Sequence, residues 1–273
     1  MDLKNKCVLI AGSSGLIGRS LTSYLLENTD YAVVGLDVLP SGTHNDKFKE
    51  FNGSVLDLTF LRQVSNWIEE SSAELAGVVT CIATNEFNNS AQTYADLLEN
   101  KFPQLPKRTL GLLAAWSEYP QLEATKAFEI NCLGANNVVS SLVENLLSSA
   151  TASVVHVCSQ YGLKTPRQEL FDDSSKFLYK PLAYPISKAA LLMLSEYQAS
   201  LFAGTNVRVN AISPGAVMQG QPAQFQTKYS IQTWSRSMLN VQDLLRPIEF
   251  LLSDGSRYMN GANLVVDGGW SRN

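Results

Sequence analysis

Histidine and cysteine are scarce in this 273-residue chain, with two of the first and four of the second. Cys7, Cys81, Cys132 and Cys158 each stand alone beside apolar residues, with no CxxC spacing. That pattern reads as buried reduced thiols and argues against a zinc site or a disulfide framework. His44 lies in a polar stretch and His156 inside the apolar run from Val154 to Cys158, where strand packing accounts for it. Two histidines placed so leave a His-based triad or a His-rich metal site without material, and no metal is expected. Lys/Arg runs are missing and the net charge is −4, so the basic face of a nucleic-acid binder is absent. No apolar run approaches the roughly 18 residues that span a bilayer. The opening Met1 to Lys6 is short and polar before the first strand, unlike a signal peptide, so a cytoplasmic location is expected. Hydrophobic residues make up 45% of the chain and charged residues 17%, which supplies a core and excludes wholesale disorder.

What is present alternates between strand and helix. Apolar runs predict strands at Lys6 to Ala11, Tyr31 to Leu36, Gly77 to Ile82, Ala152 to Cys158, Val207 to Ile212 and Asn263 to Val266, with a weaker one at Ser54 to Leu56. Helical spacing predicts helices over Leu16 to Asn28, Phe60 to Glu70, Thr125 to Ser149, Ala183 to Ala203 and Val241 to Leu252. Alternation of this kind implies an α/β fold: a doubly wound parallel sheet of about seven strands with helices on both faces. No linker, repeat or low-complexity tract appears, so residues 1–273 read as one domain. Two segments break the alternation, residues 85–124, which include Pro103, Pro106 and Pro120, and residues 161–181. Both follow strand C-termini, where open α/β sheets bind ligands, so each reads as an active-site insertion or a plain surface insertion.

The first strand runs into Ala11-Gly12-Ser13-Ser14-Gly15-Leu16-Ile17-Gly18 and then a helix. Glycines at this spacing, between a strand and a helix, serve a tight turn, close approach to a pyrophosphate and helix–strand packing. The helix start adds free N–H groups and a positive dipole end. Gly12, Ser14, Gly15, Leu16, Ile17 and Gly18 are therefore cofactor candidates. Asp37 ends the second strand and suits the two ribose hydroxyls of an adenosine, while it would repel a 2′-phosphate. NAD is expected over NADP. Asp57, after the third strand, reads equally as a contact to the adenine edge or as a helix N-terminal acid.

Tyr184-Pro185-Ile186-Ser187-Lys188 puts a phenol and an ammonium at i and i+4 of a helix start, on one face. Pro185 suits the first turn. A tyrosine ordinarily titrates near pH 10, so a base at neutral pH needs a fall of about 3, or roughly 4 kcal/mol of differential stabilisation. The expectation is that Lys188 and a positive nicotinamide supply it.

With these residues the chain resembles the short-chain dehydrogenase/reductase superfamily over nearly its whole length. The resemblance rests on the glycine loop, Asn131 in Phe128-Glu129-Ile130-Asn131, Ser159 in Cys158-Ser159-Gln160, Tyr184 and Lys188. It continues through Asn210-Ala211-Ile212-Ser213-Pro214-Gly215 and the segment Gly261 to Gly269, all in the family's order. It implies that Tyr184 is the general acid/base, that Lys188 holds the nicotinamide ribose and that Ser159 orients the substrate. Asn131 would support a water that relays protons from Lys188. Pro214, Gly215 and Val217 would wall the nicotinamide. The family's Asn-Asn-Ala-Gly is replaced by Thr80-Cys81-Ile82-Ala83, which puts the contacts around Ala83 in doubt. The GxxGxxG spacing resembles the longer nucleotide-sugar branch, and about a dozen residues are inserted between Ser159 and Tyr184. Together they resemble a branch linked to bacterial surface or flagellar sugar modification.

Residues 221–236 would form a substrate lid in which Phe225, Tyr229, Trp234, Lys228 and Arg236 meet a sugar or sugar nucleotide, or else an ordinary amphipathic helix. The apolar helices near 125–149 and 183–203 imply a homodimer or homotetramer. The functional expectation is an NAD-dependent oxidoreductase on an alcohol/carbonyl small molecule. Two other readings stay open: a sugar-nucleotide epimerase or dehydratase that recycles its NAD, and a dinucleotide sensor.

Overall fold

The computed structural model describes residues 6–84, 92–171 and 179–273. Seven strands form one parallel sheet in the order β3-β2-β1-β4-β5-β6-β7. They are β1 (Lys6–Ala11), β2 (Ala32–Asp37), β3 (Phe48–Asn52), β4 (Glu74–Thr80), β5 (Ala152–Val157), β6 (Val207–Pro214) and β7 (Asn263–Val266). The order reverses beside β1, whose neighbours are β2 and β4. That switch point opens a crevice at the strand C-termini.

Side chains of β1 alternate between two cores, as a two-residue period requires. Cys7, Leu9 and Ala11 face one, with Leu61, Val64 and Ile68 of α2 (Leu58–Glu70) and with Val138 and Val139. Val8 and Ile10 face the other, with Leu21 and Leu25 of α1 (Leu16–Asn28) and Leu244, Ile248 and Leu251 further along the chain. Both faces of the sheet are thus covered, and the central strands read as unbroken apolar runs.

Three expectations need correction. The strand sought at Ser54 to Leu56 is a turn, in which the Asp57 N–H donates to the Ser54 carbonyl at 3.0 Å. The strand lies earlier, at β3, and was masked because an edge strand pairs on one side only. Its Phe48-Lys49-Glu50-Phe51-Asn52 buries just Phe48 fully. Residues 92–124 are largely helical: α3 (Gln92–Lys101), α4 (Lys107–Ser117) and α5 (Gln121–Phe128). Pro106 and Pro120 sit at the N-caps of α4 and α5, so these prolines start helices rather than mark loops. The helix expected over Thr125 to Ser149 is a succession instead. α5 passes through a π-turn at Glu129–Leu133 into α6 (Gly134–Ser141), and after Leu142 comes α7 (Val143–Ser148). The remaining helices are α8 (Ala183–Leu201), α9 (Ala223–Ile231) and α10 (Gln242–Leu252).

Candidate active site

The glycine loop closes the C-terminal end of β1. Gly12 has φ +86°, and its N–H donates to the Leu36 carbonyl at 2.7 Å. A Cβ on Gly18 would collide with the Gly12 carbonyl, so the helix can start this close to the strand only with glycine there. Gly15 caps α1 without a side-chain hydrogen bond, which leaves the first-turn N–H groups to whatever lies in front of them. Gly15, Leu16 and Ile17 line a cleft of about 660 Å³. A cradle of bare N–H groups, closed behind by backbone where Cβ atoms cannot fit, suits a pyrophosphate. Gly12, Ser14 and Gly18 shape this cradle from behind. Asp37, at the end of β2, accepts from the Ser14 N–H at 3.0 Å and the Leu39 N–H at 3.1 Å. Its carboxylate is thereby aimed by the loop itself.

The same cleft is also lined by Ser159, Tyr184 and Lys188, by Pro214, Gly215 and Val217, and by Ala83. Gly215 packs so closely that a Cβ would stand 3.0 Å from Asp267 Cα. The strands and α8 bring these residues together across more than a hundred positions.

Lys188 is buried, and its Nζ donates to the Val157 carbonyl at 2.9 Å and the Ile82 carbonyl at 3.2 Å. Burial lowers its pKa. The Tyr184 phenol is hydrogen-bonded to Ser159, which favours the phenolate, but burial outweighs this and pushes the pKa up. Among the causes that act on Tyr184 in the protein alone, Lys188 does not figure, and the expected depression belongs to the state with a nicotinamide bound. The ammonium is turned to the Val157 carbonyl of β5 and to the Ile82 carbonyl just after β4, and Ser159 is the group that favours the phenolate. Ser159 Oγ also accepts from the Tyr161 N–H at 3.1 Å, which fixes its rotamer.

Asn131 sits in the π-turn and is fully buried. Its Oδ1 accepts from the Thr84 N–H at 2.6 Å, and its Nδ2 donates to the Thr84 carbonyl at 3.0 Å and Ser187 Oγ at 3.0 Å. Ser187 in turn donates to the Tyr184 carbonyl at 2.9 Å. A π-turn re-aims one side chain inside a helix, and here that side chain ties the connection after β4 to the first turn of α8.

Asp57 lies outside the cleft lining. It caps α2, accepting from the N–H groups of Thr59 at 2.9 Å and Phe60 at 3.0 Å, so the helix-acid alternative accounts for its geometry. In the lid segment, Tyr229 is buried: it accepts from the Ala216 N–H at 2.8 Å and donates to Gln160 Oε1 at 2.7 Å. Phe225 lines the cleft, whereas Trp234 is exposed and Arg236 bonds the Ile231 carbonyl at 2.7 Å. Lys228 and Arg236 are not among the described residues that line the cleft. Besides Lys188, a second cation, Lys180, lines the cleft. Its Nζ lies 4.1 Å from the Tyr184 ring centroid and 5.6 Å from that of Tyr161. No motif marks it: Gln168, which holds its backbone, stands twelve positions away and is of no special type.

Among the described residues no group of His, Cys, Asp and Glu is arranged to hold a metal, and no helix is long and apolar enough to cross a membrane. All four cysteines are free.

Residues 107–271 match a short-chain alcohol dehydrogenase family model described as enoyl-(acyl carrier protein) reductase. The chain is 24% identical over 275 residues to the post-translational flagellin modification protein A of Campylobacter coli, covering 98% of this chain and 99% of that one. It is 26% identical to the ribulose-forming D-arabinitol 2-dehydrogenase of Candida tropicalis, over 98% of this chain and 93% of the relative. The fold superposes with a TM-score of 0.82 on a short chain dehydrogenase from Leptospira borgpetersenii solved with bound NAD+. The identity is 21%, with 98% of this chain and 93% of that one covered.

Proposed function

Because the chain belongs to the short-chain dehydrogenase/reductase superfamily, and is an oxidoreductase by that membership, we propose that it transfers a hydride between NAD and an alcohol/carbonyl pair on a polyol or sugar-like small molecule. The observation that carries this is one continuous cleft, with bare helix N–H groups at one end and the Ser159-bonded Tyr184 phenol at the other. The dinucleotide fits along it. Gly15, Leu16 and Ile17 would hold its pyrophosphate, Asp37 its adenosine ribose and Lys188 its second ribose, with Pro214, Gly215 and Val217 against the nicotinamide. Bound there, NAD accepts or returns the hydride. Asp37 supports NAD over NADP, since a carboxylate repels a 2′-phosphate.

In this reading the residues divide the work. Ser159 donates to or accepts from the substrate oxygen and holds it beside the Tyr184 phenol. Tyr184 moves the hydroxyl proton, a role that contributes typically about 10² to 10⁴ in rate. Asn131 holds the start of α8 through Ser187, and so keeps Tyr184 in register with Ser159. The apolar outer face of α8 supports pairing of two copies. Ile186, Met193, Tyr197 and Leu201 are exposed there while the inner face is buried, and Phe128, Leu133 and Leu147 are exposed on the helices beside it.

The direct test is NADH formation from NAD with a panel of polyols, sugars, sugar acids and sugar phosphates. One substrate should give signal, and Tyr184→Phe should lose it by at least about a hundredfold while NADH binding persists. NADH binding with product change but no net NADH would transfer the reading to internal redox recycling. Full activity in the Tyr184→Phe variant would refute the assignment.

A further inference from the structure

Aromatic rings connect the Tyr184 phenol to α9 and to the inserted segment after β5. Tyr184 stands edge-on to Tyr161 at 6.5 Å between ring centroids, and Tyr161 stands edge-on to Trp270 at 5.4 Å. Trp270 stacks with Tyr229 at 6.5 Å, Tyr229 stacks with Phe225 at 6.2 Å, and Phe225 meets Phe171 at 5.7 Å. Of these rings, Tyr161, Phe171, Tyr184 and Phe225 line the cleft.

Two hydrogen bonds fix where this series ends. Tyr229 Oη accepts from the Ala216 N–H at 2.8 Å and donates to Gln160 Oε1 at 2.7 Å, so α9 is pinned between the neighbour of Ser159 and the segment 214–217. Phe225 precedes Tyr229 by four residues on α9, and the two project from one face of the helix. Phe225 is thus held one helical turn from the pinned phenol. Phe171 is held from behind. Its carbonyl accepts from Arg108 of α4, and its side chain is buried in one cluster with Leu170, Tyr229 and Trp270.

The chemistry of this surface is selective. The rings of Tyr161 and Tyr184 already have the Lys180 Nζ over them, at 5.6 Å and 4.1 Å. Phe171 and Phe225 offer aromatic carbon and no polar atom. Gln221, which lines the same cleft, is spent on its own turn: Oε1 accepts from the Gln219 N–H at 2.7 Å and Nε2 donates to the Val217 carbonyl at 2.8 Å. Among the described lining residues there is no carboxylate to accept from hydroxyl groups. An open-chain polyol carries a hydroxyl on every carbon, and those laid on phenyl rings would give up water for no partner. It would also lose its free rotations on binding. A saturated ring keeps its CH groups together on a rigid face, which packs on aromatic carbon with less entropy to lose.

We propose that Phe171 and Phe225 are the specificity-determining pair of the cleft, and that the substrate is a ring alcohol or ring ketone. Its CH groups pack on the two phenyl rings while its reacting carbon–oxygen bond meets Ser159 and Tyr184. This deepens the dehydrogenase reading and rests on it, selecting the cyclic compounds from the polyols and sugars.

Calorimetric binding to the full chain with saturating NADH tests the assignment on two matched pairs. One is trans-cyclohexane-1,2-diol against hexane-1,2-diol, and the other is methyl β-D-glucopyranoside against D-glucitol. Wild type should bind the ring member of at least one pair about fivefold more tightly than its open-chain partner. Phe225→Leu and Phe171→Leu keep an apolar side chain and remove the aromatic ring, so each should bring that preference to within about twofold, while Phe225→Tyr should retain it. Phe225 is only half-buried, so its leucine variant decides the matter even where Phe171→Leu fails to fold. The pair that shows the effect tells a carbocycle from a sugar ring. Equal binding of ring and open-chain partners in both pairs, no saturable binding of either ring compound, or an unchanged preference in Phe225→Leu would overturn the proposal. NADH formation from open-chain polyols as fast as from ring compounds would overturn it while leaving the dehydrogenase reading standing. Phe225-dependent ring binding with no NADH formation across the panel would do the reverse.

Discussion

Asp37 and His156 show what single side chains contribute away from the reacting atoms. Asp37 is held by two backbone N–H groups from the glycine loop and the chain beyond β2, so its oxygens are in place before any ribose arrives. Asp37→Ala should weaken NADH binding at least about tenfold, a loss of roughly 1.4 kcal/mol, and narrow the gap to NADPH. Fluorescence titration with both nucleotides measures it, and an unchanged NADH affinity would count against the ribose assignment. His156 is fully buried between Thr80 Oγ1 and Gln198 Oε1, each at 2.8 Å. Burial lowers its pKa from 6.5 to about 4. The unfolded chain therefore takes up a proton first as pH falls. Stability is full above about pH 6.5 and drops toward pH 4, by up to roughly 3 kcal/mol from this residue alone. Urea denaturation at pH 7 and pH 4.5 should show this loss, and His156→Gln should reduce it. An equal acid loss in both proteins would show that other groups carry it.

At the scale of elements, the insertions behave as a clamp. Arg108 reaches from α4 to the turn around Gln168, and Gln168 holds the backbone of Lys180 four residues before Tyr184. Arg108 touches no reacting atom, so it is a positioning residue. Arg108→Ala should raise KM for the substrate found in the NADH panel several-fold and leave kcat nearly unchanged, with partial rescue by Arg108→Lys. A fall in kcat with constant KM would place its effect on the Tyr184 side instead. This clamp was the least legible part of the chain, and the reason is physical. Its hydrogen bonds join residues 60 and 12 positions apart through side chains of no special type. Tyr184 and Lys188, by contrast, were readable because one helical turn puts i and i+4 on a common face. The glycine loop was readable because Gly12 and Gly18 stand where a Cβ is excluded. β3 escaped notice because an edge strand needs only one buried residue, Phe48. α4 and α5 escaped it because proline at a helix start resembles proline in a loop.

For the whole molecule, the seven-stranded parallel sheet and its two covered faces followed from the alternation of apolar runs and amphipathic stretches. The outer face of α8 did not follow in the same way. The helix reads as apolar nearly all round, yet its inward face carries Ser187, Lys188, Ser195 and Gln198, while Met193, Tyr197 and Leu201 face outward and are exposed. Burial of that outward face against a second copy should be interrupted by a charge. Met193→Glu should convert a dimeric or tetrameric mass in light scattering to a monomeric one. A monomeric wild type at micromolar concentration would remove the basis for the pairing.

The division of labour within the cleft has an evolutionary side. The proton chemistry proposed above hangs on the sheet and α8, whereas the two inserted segments border the cleft without carrying Ser159 or Tyr184. Gene duplicates can lengthen, shorten or exchange those segments without moving Ser159 relative to Tyr184. Appetite for a new substrate is then acquired by recombination at the margins, and the inherited chemistry passes through the change intact.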